Sequence, residues 1–327
     1  MTLRKALATA VALAIPAAPA LATEKWDMPM AYADSNFHTD NGKAFARCVG
    51  TATGGEIDIT VHGGGSLYKG GDIKRAIQEG QVPIGERLLS AHQNEEPIFG
   101  VDSIPFLATS FEDSERLFEA TEETLRATLE DQNLYLLYSV PWPPQGFYFK
   151  KGVESVEDME GIKFRSYNSA TARLAELSGM VPTQVEAAEL SQAFATGVVE
   201  SMISSGATGY DRKLWEHTTH FYPVNAWLPR NAVMMNLEVW EDLDEEVQNA
   251  ITGCAELAAY SGLWRSQQYN DFTVKGLADG GMEIAEPSEA MVEELKGFGE
   301  TMTQEWLEAA GEDGKAVVDA FKEGSSN

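Results

Sequence analysis

The chain has 327 residues, and 51 aspartate and glutamate residues against 24 lysine and arginine residues give it a formal net charge of -27. This balance excludes sequence-independent nucleic-acid binding and a polybasic membrane-surface role, because both need clustered cations to neutralise phosphates. A hydrophobic content of 43% excludes an intrinsically disordered chain, and the length suits two domains of ordinary size.

Residues 1–22 have the pattern of a signal peptide. Arg4 and Lys5 form a positive start, residues 6–15 form a short apolar run, and Ala20-Leu21-Ala22 supplies a small-x-small cleavage site. The apolar run is too short to span a bilayer as a stable helix. We therefore expect cleavage after Ala22 and a mature protein in the periplasm.

Helices and strands separated by glycines alternate along the first part of the mature chain. The patterns predict helices over 40–51, 73–79 and 111–129 and strands over 56–62 and 134–140. This alternation is typical of an α/β domain.

A proline-rich segment, Pro141-Trp142-Pro143-Pro144, interrupts this pattern and predicts a rigid crossover between two domains. Beyond it the patterns predict strands over 161–165, 181–185, 198–204 and 232–236 and helices over 170–177 and 189–196. Apolar residues at steps of three or four then predict one long helix from Leu243 to about Asn270. Residues 323–327 are predicted to form a disordered tail.

The two cysteines, Cys48 and Cys254, leave two interpretations open. An oxidising compartment permits a disulfide between them. Each cysteine also lies in a helical apolar pattern, where free buried thiols are common, and we favour unpaired thiols. With five histidines and no CxxC motif, we expect no metal site and no cofactor.

Arg165 is the strongest candidate binding residue. Ile162 and Phe164 alternate with Lys163 and Arg165, so the arginine ends a short strand, where open α/β sheets bind their ligands. Residues 166–169 are good N-caps for the next helix, so an anion on Arg165 would also meet backbone N–H groups. From spacing alone, a surface salt bridge with a nearby acid is the simpler interpretation.

Several segments together resemble the DctP-type substrate-binding proteins of tripartite ATP-independent periplasmic (TRAP) transporters. Residues 158–165 carry the family's D-x-x-G-x-K-x-R pattern, and residues 102–107, 177–182 and 193–200 match in order and spacing. Where the family usually has Val-Asp-Gly, this chain has Val199-Glu200-Ser201.

The resemblance implies a two-lobed α/β fold of the periplasmic binding protein type, type II-like, with hinge strands and a long shared helix. It assigns residues 23–141 and about 232–270 to lobe I and residues 142–231 and about 271–322 to lobe II. The helix over 243–270 would cross both lobes. Such a protein closes on a small organic anion and delivers it to a small and a large integral membrane subunit.

The resemblance also assigns roles to individual residues. Arg165 takes the position of the family's arginine, which forms a salt bridge with the ligand carboxylate. A second basic residue of many members falls here near Gln145, which favours a singly charged ligand. Ser204 replaces an asparagine that often contacts the ligand, and Thr208 offers another hydroxyl.

The remaining candidates are placed at crossovers and strand ends, where packing or capping explains them equally well. Arg87 is the candidate for a displaced second cation. The others are Phe37, His38, Glu86, Trp142, Phe147, Tyr148, Tyr167, Trp227 and Asn231. The aromatic members would suit a flat or apolar ligand body.

We therefore expect a monomeric receptor, not an enzyme, for a monocarboxylate such as an aromatic or 2-oxo acid. A sulfonate or a hydroxy acid is the alternative within the family. An exported hydrolase acting on an acid is the alternative from another class, although no motif favours it. A receptor for another transporter class is also open, but the long helix favours the TRAP type. Because the large negative charge repels an anion at long range, capture must depend on a short-range site.

Overall fold

The computed structural model describes residues 23–324, so the predicted signal peptide and residues 325–327 lie outside the described part. The strands are β1 (Glu24–Pro29), β2 (Ile57–His62), β3 (Ile84–Leu88), β4 (Leu134–Pro141), β5 (Gln145–Phe149), β6 (Lys163–Ser166), β7 (Val181–Gln184), β8 (Ser201–Ser205), β9 (His220–Tyr222), β10 (Arg230–Asn236) and β11 (Glu283–Ile284). The helices are α1 (Phe37–Ala52), α2 (Ile73–Gln78), α3 (Phe111–Glu130), α4 (Ser169–Leu177), α5 (Leu190–Ala195), α6 (Gly206–Asp211), α7 (Leu237–Glu241), α8 (Glu245–Asp279) and α9 (Glu289–Gly324).

One group of elements, which we call lobe I, is built on a parallel pair and an antiparallel sheet. Strand β1 pairs with β2, and the sheet has the order β3-β10-β4. An isolated bridge between Met30 and Glu86 connects the two. In β2, Ile57 and Ile59 are buried while Asp58 is exposed, as the alternating sequence predicts. Helices α1, α2 and α3 pack on these strands.

The second group, lobe II, is built on a six-stranded mixed sheet in the order β11-β9-β5-β8-β6-β7. Strand β6 is parallel to both of its neighbours, so the carboxyl ends of β6, β7 and β8 lie at one edge. The sequence did not predict β5, which begins directly after the proline-rich segment. All five of its residues are buried, so no polar alternation marks it as a strand.

Two crossover segments join the lobes and pair with each other. Trp142 N donates to the Pro229 carbonyl at 2.8 Å, and Gln145 N donates to the Trp227 carbonyl at 3.0 Å. Ala226 N donates in turn to the Gln145 carbonyl at 3.0 Å. The proline-rich segment therefore lies in a two-stranded connection between the lobes.

Helix α8 contacts α1 and β4 of lobe I and α6 of lobe II. It is longer than predicted, and two of its glycines allow close approach. Gly262 lies against Val140 of β4 in lobe I, whereas Gly276 lies against Tyr210 of α6 in lobe II.

The expectation of unpaired thiols was wrong. Cys48 on α1 and Cys254 on α8 form a disulfide with 5.8 Å between their Cα atoms. The two helices pack side by side, which brings together residues 206 positions apart in the sequence. The sequence does not reveal this packing, so it could not choose between the two interpretations. The bond attaches α8 to lobe I and does not cross between the lobes.

The end of the chain differs from the predicted division into lobes. Trp306, Val317 and Val318 of α9 belong to the apolar core that contains Ile73 and Leu117 of lobe I. The second half of α9 therefore packs on lobe I, whereas Glu305 in its first half pairs with Arg173 of α4 in lobe II at 2.7 Å. The helix also includes the first two residues of the predicted tail.

Residues 23–324 contain neither a candidate membrane-spanning helix nor a candidate metal-binding cluster. No helix there is long and apolar enough to cross a membrane. Within the same range, no cluster of three or more histidine, cysteine, aspartate or glutamate side chains is arranged to hold a metal ion.

Candidate ligand-binding site

A cavity of about 480 Å³, counting the space at its mouth, lies between the two lobes. Lobe I, lobe II and the crossovers all contribute side chains. The lining residues are Tyr32, Arg87, Leu88, Trp142, Gln145, Arg165, Tyr167, Glu186, Ala187, Ser204, Thr208 and Pro229.

Arg165 presents an unengaged cation to this cavity. The residue lies in β6 and is 4% exposed, and its Nε donates to the Val185 carbonyl at 2.9 Å. Burial lowers the pKa of Arg165 to about 10, so the group keeps its charge at neutral pH. No acceptor in residues 23–324 takes the Nη groups, which leaves them available to an anion.

Two tyrosines lie close to this arginine. The Arg165 guanidinium lies over the Tyr167 ring, 5.1 Å from its centroid. Burial raises the pKa of Tyr32 and of Tyr167, so both phenols stay neutral and can donate hydrogen bonds. Trp227 Nε1 donates to the Tyr167 hydroxyl at 3.0 Å, which holds Tyr167 from behind.

A second cation, Arg87, also lines the cavity, but an acid engages it. Arg87 lies in β3 of lobe I, and Glu186 follows β7 of lobe II. Arg87 Nη2 donates to Glu186 Oε1 at 3.2 Å, and Nη1 donates to Oε2 at 3.5 Å. The lining side chains therefore carry two positive charges and one negative charge.

Hydroxyl groups face the cavity from lobe II. Ser204 of β8 is 5% exposed, and its hydroxyl has no partner within the described range. Thr208, in the first turn of α6, also lines the cavity, and its backbone N donates to Ser205 Oγ at 3.3 Å. These groups can donate to a carbonyl or carboxylate oxygen of a ligand.

Trp142 forms an aromatic wall that a buried polar network supports. Its ring packs edge-on against Tyr32 with 4.7 Å between the ring centroids, and its Nε1 donates to Asn231 Oδ1 at 2.8 Å. Asn231 Nδ2 donates to Glu86 Oε1 at 2.9 Å, and His38 Nδ1 lies 3.5 Å from Glu86 Oε2. The network fixes the indole from the side away from the cavity.

The structure brings some of the predicted site residues to the cavity and places others elsewhere. Arg87, Trp142, Gln145, Arg165, Tyr167, Ser204 and Thr208 line it. Phe37, His38, Glu86 and Asn231 lie behind Trp142, whereas Phe147, Tyr148 and Trp227 are buried in the interior. Glu86 and Arg87 lie within β3 and not after it.

The sequence did not indicate five further lining residues, which are Tyr32, Leu88, Glu186, Ala187 and Pro229. For Glu186 a signal existed, because it directly follows the strand predicted over 181–185. The rule that selected Arg165, a charged residue at the carboxyl end of a strand, also selects Glu186.

Hydrogen bonds around the cavity connect the two lobes and define a closed arrangement. Asn36 Nδ2 of lobe I donates to Asp211 Oδ2 of lobe II at 2.7 Å. From lobe II, Asn168 Nδ2 donates to Ser90 Oγ of lobe I at 3.1 Å. A ligand in the cavity would contact both lobes at once.

The family model described as bacterial extracellular solute-binding protein, family 7 (DctP), matches residues 30–312. Among curated proteins, the C4-dicarboxylate-binding periplasmic protein DctP of Rhodobacter capsulatus is 25% identical over 299 residues, which is 87% of this chain and 86% of that protein.

Two solved structures are more similar in sequence. One is a TRAP solute-binding protein from a marine metagenome, which is specific for pyroglutamate and was solved in complex with co-purified pyroglutamate. It is 53% identical to this chain, and the two superimpose with a TM-score of 0.91 over 92% of this chain and 99% of that one. The other is DctP6 of Bordetella pertussis, an extracytoplasmic solute receptor binding pyroglutamic acid. It is 42% identical with a TM-score of 0.90, and the match covers 92% of this chain and 100% of that one.

Proposed function

This chain belongs to family 7 of the bacterial extracellular solute-binding proteins, the DctP family, and we propose that its ligand is pyroglutamate. The support is that two solute-binding proteins 53% and 42% identical to it bind this acid. The chain is a TRAP solute-binding protein and not an enzyme, and proteins of this kind bind small organic acids and work with membrane subunits. The family is periplasmic. Pyroglutamate is a five-membered lactam with one carboxylate, so it is a singly charged acid of the kind that the family resemblance favours.

The observation that carries this proposal is the unengaged Nη pair of Arg165. A planar guanidinium matches a carboxylate with two parallel hydrogen bonds, and burial strengthens such a pair. The Nε–Val185 bond fixes the plane of the fork before the ligand arrives. We therefore assign the pyroglutamate carboxylate to Arg165.

The ring and the lactam group match other parts of the cavity. Tyr32, Trp142 and Tyr167 supply flat walls for a small ring. The lactam N–H needs an acceptor, and the Glu186 carboxylate has lone pairs beyond those that Arg87 uses. The lactam carbonyl needs a donor, which the free Ser204 hydroxyl supplies.

We further propose that binding is completed by closure of the lobes. Ligand contacts with both lobes would select the closed arrangement over an open one. The paired crossovers at residues 142–145 and 226–229 are the natural hinge, because few other chain segments connect the lobes. We expect the receptor to act as a monomer with its membrane subunits.

A thermal denaturation panel tests the ligand assignment. L-pyroglutamate at about 100 times its Kd should raise the free energy of unfolding by about 2.7 kcal/mol. L-proline keeps the ring and carboxylate but lacks the lactam carbonyl and should give a much smaller shift. Isethionate, 2-oxobutyrate and lactate represent the sulfonate, 2-oxo acid and hydroxy acid alternatives. A larger shift with any of these than with L-pyroglutamate would reject the assignment.

A further inference from the structure

The ion pair between Arg87 and Glu186 connects the two lobes inside the ligand cavity. Its two contacts, at 3.2 and 3.5 Å, run from both Nη atoms to both carboxylate oxygens. The Arg87 side chain is 5% exposed and that of Glu186 is 32% exposed. The pair lies on the Gly70 backbone, where an added Cβ would be 2.6 Å from Arg87 Nη1 and 2.8 Å from Glu186 Oε2.

This pair determines how much charge the cavity offers to a ligand. Arg87 and Arg165 together would match two carboxylates, since a guanidinium binds a carboxylate in fork geometry. Glu186 already occupies the fork of Arg87, so the lining side chains keep one net positive charge. A second ligand carboxylate would have to displace Glu186 or be buried beside it, and burying an unpaired charge is costly.

We propose that Glu186 is a specificity-determining residue that restricts the closed cleft to singly charged acids. It acts as an internal counter-ion, because it takes the place at Arg87 that the second carboxylate of a dicarboxylic acid would take. The proposal rests on the proposed function, since it explains why a monocarboxylate is selected. It also explains how a cleft with two buried arginines can prefer an acid that carries a single negative charge.

A substitution that keeps the shape and removes the charge tests this role. Glu186→Gln should free Arg87 and leave two unbalanced cations in the cavity. Glutarate has the five carbons of pyroglutamate but two carboxylates, and its affinity should rise by about tenfold to a hundredfold, as expected for one new charge-assisted bond. The affinities of L-pyroglutamate and glutarate are measured by calorimetry on ligand-free, refolded protein.

Two further variants separate charge from other effects of the substitution. Arg87→Gln combined with Glu186→Gln removes the bridge but restores one net positive charge, so glutarate affinity should return to near the wild-type value. Glu189→Gln removes the same charge from an exposed position three residues away and should change neither affinity.

The outcomes are distinct. Unchanged glutarate affinity in Glu186→Gln would overturn the proposal. A gain in glutarate affinity that is as large in the double variant as in Glu186→Gln would also overturn it, because the gain would then come from loss of the ion pair between the lobes and not from charge. If wild-type protein does not bind L-pyroglutamate, the proposed function fails. Charge selection is then tested with the singly charged acid that gives the largest thermal shift, and a glutarate gain in Glu186→Gln alone would still support it.

Discussion

Replacing Arg165 separates the charge of the binding site from its geometry. Arg165→Met removes the cation, whereas Arg165→Lys keeps a charge of the same sign. Lysine has a single nitrogen, which cannot bond the Val185 carbonyl and face both carboxylate oxygens together. Arg47→Met, on an exposed part of α1, removes the same charge far from the cavity and serves as the control.

The magnitude follows from the burial of the guanidinium. Arg165 is 4% exposed, and removing one partner of a buried ion pair costs roughly 3–5 kcal/mol. At about 1.4 kcal/mol per tenfold in affinity, Arg165→Met should weaken pyroglutamate binding by roughly a hundredfold to a few thousandfold. Arg165→Lys should lose about tenfold to a hundredfold, because the charge remains while the second parallel hydrogen bond is lost.

Isothermal titration calorimetry on ligand-free protein measures all three variants against wild type. The order of affinities should be wild type equal to Arg47→Met, then Arg165→Lys, then Arg165→Met. Because the pair is buried, the loss in Arg165→Met should change little with added salt. Equal affinity of Arg165→Met and wild type would refute the assignment of the carboxylate to Arg165, and a lysine variant with wild-type affinity would refute the argument from fork geometry.

Three further predictions concern stability. Replacing Cys48 and Cys254 by serine should lower the free energy of unfolding by about 2–5 kcal/mol, measured by urea denaturation. Because the bond lies within lobe I, the Kd for pyroglutamate should stay the same. A change of more than roughly twofold in that Kd would contradict this prediction. Asn231→Ala leaves Trp142 Nε1 and the Glu86 carboxylate without their hydrogen-bond partner, and should lower the free energy of unfolding by about 2–4 kcal/mol in the same assay. An unchanged denaturation midpoint would count against the network. Burial raises the pKa of Asp102 to about 6, above its value of about 3.9 in the unfolded chain. As the pH rises between these two values, the carboxyl group loses its proton in the unfolded chain but keeps it in the folded protein. The free energy of unfolding therefore falls over this range. The stability of Asp102→Asn relative to wild type should therefore increase by about 2 kcal/mol from about pH 4 to pH 7, and a constant difference would exclude this titration.

Local patterns in the sequence predicted much of the fold. Alternation predicted the strand that became Ile57–His62, and the periodic stripe after Leu243 predicted the helix that became Glu245–Asp279. Prolines marked the crossover. The strand Gln145–Phe149 that follows it was not predicted, because a strand buried on both faces has no alternation of polar and apolar residues. The path of the last helix back to lobe I depends on tertiary packing, which has no local signature.

The site was predictable to the extent that one strand end determines it. Arg165 combines a strand end, a following N-cap and a family motif, and the structure places it on the cavity wall. The partner of Arg87 was not predictable in the same way, because Glu186 is 99 positions away and meets it only when the lobes come together. The disulfide was missed for the same physical reason, since it depends on how two distant helices pack.

The central claim is that this receptor holds one pyroglutamate between its lobes. Its most direct test is a calorimetric titration of refolded, ligand-free wild-type protein with L-pyroglutamate. We expect one site per chain with a Kd of about 1 µM or tighter, equivalent to about -8 kcal/mol. An absence of binding heat together with an unchanged unfolding temperature at millimolar L-pyroglutamate would contradict it.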